Sequence, residues 1–574
     1  MSSITMLPPF VPLLLGSLAA ILLRGHLRSI VMLAAPIWGA YLLHGLEEGV
    51  YWSFEFMGYS LEPVRVDKLS LMFGYLFHLA SFIAVVYALH LKDTVQHVAG
   101  LSYAASAVGA VFAGDLLTLF VFWELLALTS VFLVWARRTE RAYTSGIRYL
   151  IIQVLSGVML LAGLLMFVHA GNSLRFEHIG LEHSGLAEIG AWLIFLAFGI
   201  KCAFPFVHNW LTDAYPEATP TGTIFLASFT TKVAVYAFAR GYPGTEILIW
   251  IGGTMACFPI FYAVIENDLR RVLAYSMINQ IGFMIVGVGI GTALALNGAV
   301  AHAFNDVIFK GLLMMTMGAV LHMTGRMNGS DLGGLYKSMP KTTIFCIVGA
   351  ASISAFPLFS GFVSKSMIMS AAIAEGYDII WLLLLFAAAG VFHHAGIKIP
   401  YFAFFAHDSG IRTSEPPKNM LIAMGLAATL CIVIGSFPAQ TVYALLPWDA
   451  EYQPYDLTHV LTQLQLLFFS AMAFVWLNLK NMYPPELRST NIDAEWFYRK
   501  LAPNLIQRGA SAVYRAYEAS EKASIEAVKS LVASSYDSQT GKPKGYFAKL
   551  WPTETMVVWG AVLLVGYLVL YYLR

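Results

Sequence analysis

An all-α, polytopic membrane protein is the fold class this sequence predicts, and three observations carry it. Hydrophobic residues make up 58% of the chain and charged ones 12%, about half the charged share of a soluble domain. Apolar stretches of about 20 residues, enough to cross a bilayer as a helix, recur along most of the 574 residues. Lys and Arg concentrate in alternate links between those stretches, as the positive-inside bias requires.

Taken in order, the apolar spans are 9–24, 29–46, 67–91, 95–113, 115–136, 146–169, 188–211, 220–240, 247–265, 269–290, 293–323, 342–374, 379–406, 419–437, 461–480 and 555–573. That makes about 16 transmembrane helices. The start, MSSITMLPPFVPLLLGSLAA, lacks a basic leading region and reads as the first span rather than a cleaved signal. Links after odd-numbered spans carry Arg24 and Arg28, Lys92, Arg137, Arg138 and Arg141, Arg270 and Arg271, Arg326, Lys337 and Lys341, then Arg412 and Lys418. Links after even-numbered spans are poor in both residues, with Arg65, Lys68, Arg175 and Arg240 as exceptions. The N-terminus is therefore expected outside.

Spans 188–211 and 342–374 hold Pro205 and Pro357, which predicts broken helices. Ala203-Phe204-Pro205-Phe206 echoes Ala355-Phe356-Pro357-Leu358, and Lys232-Val-Ala-Val-Tyr-Ala-Phe echoes Lys398-Ile-Pro-Tyr-Phe-Ala-Phe. The copies lie five spans apart, so one is inverted in the membrane. Two inverted five-helix repeats over about residues 95–410 are the expected core, a device that places ion sites near the midplane.

The organisation that follows is a transmembrane domain over 1–480, a polar segment over 481–554 and a last span over 555–574. Within the polar segment Asn504–Ser534 reads as a helix, with Ile506, Ala510, Val513 and Tyr517 on one stripe. It would reach about 45 Å. Its mixed charge suits either a membrane-surface helix or a solvated one.

Several function classes fall away. A formal net charge of +1 with no basic block argues against a nucleic-acid partner. Cys202, Cys257, Cys346 and Cys431 are isolated in apolar runs, so no iron–sulfur or zinc site is expected, nor any other metal or cofactor. A nucleotide-binding G-x-x-x-x-G-K-[ST] loop is absent from the sequence.

What remains is the charge inside the spans. Each such residue costs roughly 2.5–3.5 kcal/mol at a bilayer centre. Glu124 lies midway in its span, Lys201 precedes Pro205 by one turn, and Lys232 sits in FLASFTTKVAVYAFA. His302, Asp306 and Lys310 follow at i, i+4 and i+8 on one helix face. Lys365 comes after Pro357 and Gly361, and Lys398 lies beside His393 and His394. Any one of these could be a structural ion pair, and Lys365 and Lys398 stand near enough to a span end to snorkel. Six or more titratable groups over successive spans would be a costly way to hold helices together. Desolvation disfavours a buried ammonium and an adjacent carboxylate restores it, so a lysine beside Glu124 could be switched by movement of the pair. This is proton-relay chemistry.

FVFWELLALTS, GIKCAFPFVHNWLTDAYPEATPTGT, FTTKVAVYAFAR, HAFNDVIFKGLLMM and FPLFSGFVSK together resemble the antiporter-like subunits of respiratory complex I and of Mrp cation/proton antiporters. Membrane-bound hydrogenases use similar subunits. The resemblance covers about residues 67–410, and NIDAEWFYRK at 491–500 inclines it to the Mrp D-type subunits. The C-terminal spans and surface helix are similar to the lateral helix of the distal complex I subunit. The resemblance implies that Glu124 and Lys201 are the coupled fifth-span glutamate and seventh-span lysine. Lys232 then matches the eighth-span lysine, Lys310 the central lysine of the eleventh, and Lys365 the exit lysine of the twelfth. Asp306 stands where complex I's distal subunit has a histidine, as in D-type subunits, while His302 keeps the earlier histidine. Lys398 joins the relay by position alone.

The expected function is thus a proton-translocating subunit of a multi-subunit Na⁺(K⁺)/H⁺ antiporter of the cell (inner or plasma) membrane. Its partners would be other membrane subunits, protons, Na⁺ or K⁺, and the lipid bilayer. Such a chain is a transporter subunit rather than an enzyme. The alternatives are a proton-pumping subunit of a complex I-like NADH dehydrogenase or membrane-bound hydrogenase, and a non-transporting scaffold or partner of an inorganic-carbon uptake system.

Overall fold

Short polar residues set many of the helix starts. The computed structural model describes residues 6–488, 491–534 and 552–572 and divides into two units, Met1–Asp493 and Ala494–Arg574. In the first unit α1 (Val11–Leu22) carries a proline in its first turn and is followed by α2 (Gly25–Leu43). A hairpin of β1 (Gly49–Phe56) and β2 (Tyr59–Val66) comes next. Asp67 and Ser70 form a capping box on α3 (Lys68–Ala88). Asp93 caps α4 (Thr94–Phe112), Asp115 caps α5 (Leu116–Trp135) and Thr139 caps α6 (Glu140–His169).

The chain continues through α7 (Gly185–Lys201), α8 (Asn209–Ala214), α9 (Gly222–Ser228), α10 (Thr230–Gly241) and α11 (Ile247–Ile265). Asp268 caps α12 (Leu269–Ile290), which ends on the left-handed Gly291; α13 (Ala293–Thr324) ends likewise on Gly325. Then come α14 (Pro340–Ile353), α15 (Ser360–Ala374) and α16 (Asp378–Val391). The last continues through π-helical turns at Phe392–Lys398 and Tyr401–Phe405. α17 (Lys418–Ser436) and α18 (Leu457–Leu479) complete the bundle. The second unit holds α19 (Ala502–Ser534), close to the helix expected at Asn504–Ser534, and α20 (Thr553–Tyr572).

Among the described residues thirteen helices are long and apolar enough to cross a bilayer, counting α9 with α10 and α16 with its π turns. α1 and α14 are shorter apolar helices. This is a mostly helical, multi-pass membrane protein. The hairpin is the element the hydropathy reading missed. Its loop is two residues, Met57 and Gly58, both at positive φ, and strands of eight residues fall below a 20-residue window.

The spans that hold Pro205 and Pro357 are broken in the same way. Ala203 and Phe206 in the first, Ala355 and Leu358 in the second, all have positive φ between 58° and 73°. The hydrogen bonds match as well: Phe204 N–H donates to Gly199 O at 3.0 Å and Phe356 N–H to Ala351 O at 3.0 Å. One residue back, Ala203 N–H donates to Ile200 O and Ala355 N–H to Ser352 O. Each motif therefore ends a helix in a Schellman-type cap and restarts the chain in a new direction.

Close helix approach depends on glycine at α11 and α12. A Cβ on Gly282 would stand 2.4 Å from Ala256 N, and one on Gly252 would stand 2.6 Å from Val286 N. Small residues at these contacts let the two backbones approach, as membrane helices without a hydrophobic drive between them require.

Candidate functional site

The eight charged positions singled out by sequence fall into two buried clusters plus one outlying lysine. Lys201, Lys232, His302, Asp306, Lys310 and Lys398 are each 0% exposed and Lys365 is 2% exposed. Lys365 and Lys398 do not snorkel. The Lys365 ammonium sits against Ile353 O and over the Phe283 ring, and Lys398 against the end of α11 and Glu486.

In the first cluster Lys201, the last residue of α7, places its ammonium 2.5 Å from the main-chain oxygen of Trp123 and 4.6 Å from the centroid of that indole. Lys201 thus meets α5 one residue before Glu124 and forms no ion pair with it. Glu124 Oε1 is buried and accepts no hydrogen bond among the described residues. It lies against α6, where a Cβ on Gly157 would stand 1.3 Å from it. Trp123 is held in turn by Ser156, its Nε1–H donating to Oγ at 2.9 Å. The pair implied by resemblance therefore stands unjoined: the Lys201 ammonium of α7 rests on the Trp123 carbonyl of α5, and the carboxylate belongs to the next residue of α5.

The second cluster is built on one face of α13. Asp306 Oδ2 lies 2.6 Å from Lys232 Nζ, a contact of charge and distance with both partners fully buried. Lys232 also donates to Ala227 O at 3.0 Å, a carbonyl beside the interruption at Phe229 that separates α9 from α10. One turn before Asp306, His302 Nε2 meets Gln280 Oε1 at 3.2 Å and its Nδ1 meets Ser364 Oγ at 2.9 Å. One turn after, Lys310 donates to Ser276 Oγ at 2.8 Å. Ser276 and Gln280 are themselves four apart on α12. The two helix faces therefore form a ring of neighbours in which hydrogen bonds make the His302–Gln280 and Lys310–Ser276 links, and i, i+4 spacing alone sets Asp306 beside His302 and Lys310 and Ser276 beside Gln280. Ser364 joins that ring to its chain neighbour Lys365, whose ammonium donates to Ile353 O at 2.7 Å.

Lys398 stands at the end of α11. It donates to the carbonyls of Ala263, Val264 and Glu266 at 3.2, 2.6 and 2.7 Å, where the helix dipole favours a cation. Glu486 Oε1 completes its shell at 2.9 Å. This carboxylate arrives on the segment after α18, which folds back along the bundle. Arg488 binds Asp331 through both carboxylate oxygens at 2.8 Å, and that hydrogen bonding holds the Asp331 carboxyl below the usual carboxylate value. Asp493 accepts from Tyr275 Oη at 2.7 Å and contacts His208 Nε2 at 3.1 Å.

A common rule emerges. Lys201, Lys232, Lys365 and Lys398 each sit on a main-chain carbonyl. For all but Lys201 that carbonyl lies at a helix end or interruption. An amino group so placed donates to its carbonyl as ammonium or as neutral amine, so loss of a proton leaves that carbonyl satisfied.

Sequence reasoning missed Gly157, Ser276, Gln280, Ser364, Glu486 and the role of Arg270. The polar run Ser276-Met-Ile-Asn-Gln280 inside an otherwise apolar span was a usable signal. Arg270 counted as an ordinary cytoplasmic charge; it is 1% exposed and donates to the carbonyls of Pro216 and Ala218 at 2.8 and 3.0 Å and to Thr223 Oγ1. It fixes the link between the first broken helix and α9.

Comparison with known proteins agrees with this architecture. A family model described as "NADH:quinone oxidoreductase/Mrp antiporter, TM" matches residues 113–438. The A-type subunit of the Na(+)/H(+) antiporter of Alkalihalophilus pseudofirmus is 29% identical over 432 residues, which is 67% of this chain and 53% of that protein. Thus the chain spans about half the length of that relative. The D-type subunit of the Na(+)/H(+) antiporter of the same organism is 26% identical over 479 residues, covering 77% of this chain and 95% of the relative. Among solved structures, a chain of the membrane-bound sulfane sulfur reductase, an archaeal respiratory membrane complex, superposes with a TM-score of 0.72 at 22% identity. That match covers 98% of this chain and 99% of the other. With more than half its length in the family match, the chain belongs to the NADH:quinone oxidoreductase/Mrp antiporter transmembrane family.

Proposed function

We propose that the chain is the proton-translocating subunit of a multi-subunit Na⁺(K⁺)/H⁺ antiporter. In this reading the N-terminus faces outside in the cell (inner or plasma) membrane, and the other membrane subunits of the assembly are the partners. Protons move through Glu124, Lys201, Lys232, Asp306, His302, Lys310 and Lys365, with Lys398 and Glu486 at the α11 end. Residues 95–410 form two inverted five-helix repeats, while the 481–554 segment and the 555–574 span form an appendage. The observation that carries the reading is the ring on α12 and α13, because it links three titratable side chains and an ion-paired lysine without exposing any of them.

Each step is a proton passed between groups whose charged forms are stabilised in turn. A proton reaching Lys232 tightens its hold on Asp306 and a proton leaving loosens it; Asp306 then biases His302 and Lys310, each one turn away on the same face. The side chains hold, orient and release the proton, and water supplies the gaps between them.

A redox-driven pump of the same architecture is the second reading, favoured by the near full-length likeness to the respiratory reductase chain. One experiment separates the two. A tagged chain is extracted from its native membrane in mild detergent, its partners are identified by mass spectrometry, and proton uptake of the reconstituted complex is followed. Small membrane subunits without redox centres, and uptake driven by a Na⁺ or K⁺ gradient, support the antiporter. Iron–sulfur or nickel–iron subunits, and uptake that needs electron transfer, replace it with the pump.

A further inference from the structure

The structure assigns an outer port to the relay: a cavity leading from Lys365 to a hydrogen-bonded chain of Ser370, His459 and Asp456 at the membrane face. The inference rests on the proton-transport reading above and adds to it a route and a group, His459, that lies outside the relay positions.

A cavity of about 270 Å³ is lined by Lys365, Ser366, Met369, Ser370, His459 and Gln463. It lies between α15, α16 and the start of α18 and has room for several water molecules. At its deep end Lys365 is 2% exposed. At its other end the His459 side chain is 33% exposed and Asp456 is 48% exposed. One cavity thus connects a buried ammonium to a dyad that reaches solvent.

The dyad is oriented for transfer. His459 Nδ1 lies 2.5 Å from Asp456 Oδ2, and its Nε2 lies 2.9 Å from Ser370 Oγ. Asp456 is itself fixed as the N-cap of α18, accepting from the His459 main-chain N–H at 2.8 Å. With Nδ1–H donating to the carboxylate, Nε2 is the acceptor that faces Ser370 and the cavity. Tyr452 Oη also reaches Ser370, at 3.3 Å. Tyr452 lines a second cavity, of about 500 Å³, with Lys68, Asn297, Trp448 and Asp449. Ser370, Tyr452 and His459 stand between an outer vestibule and the inner cavity.

For inward movement, His459 Nε2 takes the Ser370 hydroxyl proton and becomes imidazolium, held by Asp456, as Tyr452 Oη gives its proton to Ser370 Oγ and regains one from the vestibule. His459 then gives its Nε2 proton to cavity water. The water hands one proton to the Lys365 amine. His459 and Ser370 end as they began, and Lys365 gains one proton. Outward movement reverses each transfer. By the inside–outside alternation of the links, the segment before α18 lies on the same side as the N-terminus.

The assembled complex in right-side-out vesicles provides the test. His459→Gln keeps a partner for Ser370 and cannot carry the proton; it should lower proton transport at least about tenfold, the low side of a general acid–base contribution. Met369→Trp, which fills the cavity, should lower it comparably. Ser366→Cys should react from outside with a charged thiosulfonate, and Met369→Trp in the same chain should slow that labelling about tenfold. Wild-type transport in His459→Gln with loss in Lys365→Ala overturns the port and leaves the relay standing. Failure of Ser366→Cys to label, meaning acyl chains fill the space, overturns it independently. Wild-type transport in both His459→Gln and Lys365→Ala overturns the proposed function itself.

Discussion

Gly157→Ala gives the most specific perturbation of the first cluster, because it moves one carboxylate and little else. A Cβ there would stand 1.3 Å from Glu124 Oε1, 2.5 Å from its Cδ and 3.2 Å from its Cγ. Ordinary contact needs about 3.5 Å, so the carboxylate must retreat by about 2 Å. The obstructing atoms are the far end of a flexible side chain, and alanine improves helix propensity by up to ~1 kcal/mol over glycine. Stability and assembly should therefore hold within about 1 kcal/mol of wild type. Function should not, since an error of about 1 Å in a reacting group can cost about a hundredfold. Proton transport by assembled complex should fall to the level of Glu124→Ala. Adding Glu124→Asp, shorter by one bond of about 1.5 Å, should recover part of the loss. The assay is gradient-driven proton uptake in vesicles, normalised to the assembled complex on a native gel. Wild-type uptake in Gly157→Ala, with assembly intact, would show that the position of Glu124 does not matter.

Other perturbations separate stability from transport. Asp306→Asn leaves Lys232 buried without its counter-charge, at a cost of roughly 3–5 kcal/mol. Less folded complex should be recovered, whereas Lys232→Met combined with Asp306→Leu should recover folding but not transport. Gly282→Ala meets main chain at 2.4 Å and must part α11 from α12, costing about 1–3 kcal/mol; a lowered melting temperature in detergent reads it. Glu486→Gln leaves Lys398 its three carbonyls, so the complex should assemble and transport should fall several-fold. The Arg488–Asp331 clamp contributes stability above the ordinary aspartate value of 3.8, and this is lost only as pH falls through the lowered folded value. Hydrogen exchange of residues 480–488 should accordingly be unchanged between pH 7 and pH 5 once corrected for intrinsic rate, and Arg488→Gln should accelerate it at both.

Most helices were legible because their signal is bulk hydropathy over about 20 residues. The broken helices were legible from the repeated Ala-Phe-Pro motif at Pro205 and Pro357 rather than from proline alone, since Pro36 and Pro259 lie inside helices that stay continuous. Their matched positive φ values bear out that local likeness. The hairpin at Gly49–Val66 was invisible to the same window because its strands pair with each other rather than cross a bilayer. Charges within the spans were found because each is costly where it stands. Their partners were not, because Ser276, Gln280 and Ser364 are cheap residues whose meaning depends on facing a particular neighbour. Glu486 and His459 were missed for the opposite reason, since in polar or boundary sequence a charge carries no signal until the fold brings it against a buried lysine or a cavity.

Lys310 offers the most direct measurement, because it closes the ring and reaches only a hydroxyl, Ser276 Oγ at 2.8 Å. Its ammonium forms no ion pair among the described residues, so Lys310→Ala removes a buried charge without stranding a counter-charge. Proton uptake of the assembled complex carrying Lys310→Ala, set against wild type in the same vesicles, should fall by about a hundredfold while partner subunits co-purify in normal ratio. Uptake at the wild-type rate would mean that protons do not travel by way of Lys310, which contradicts the relay through the α12–α13 ring.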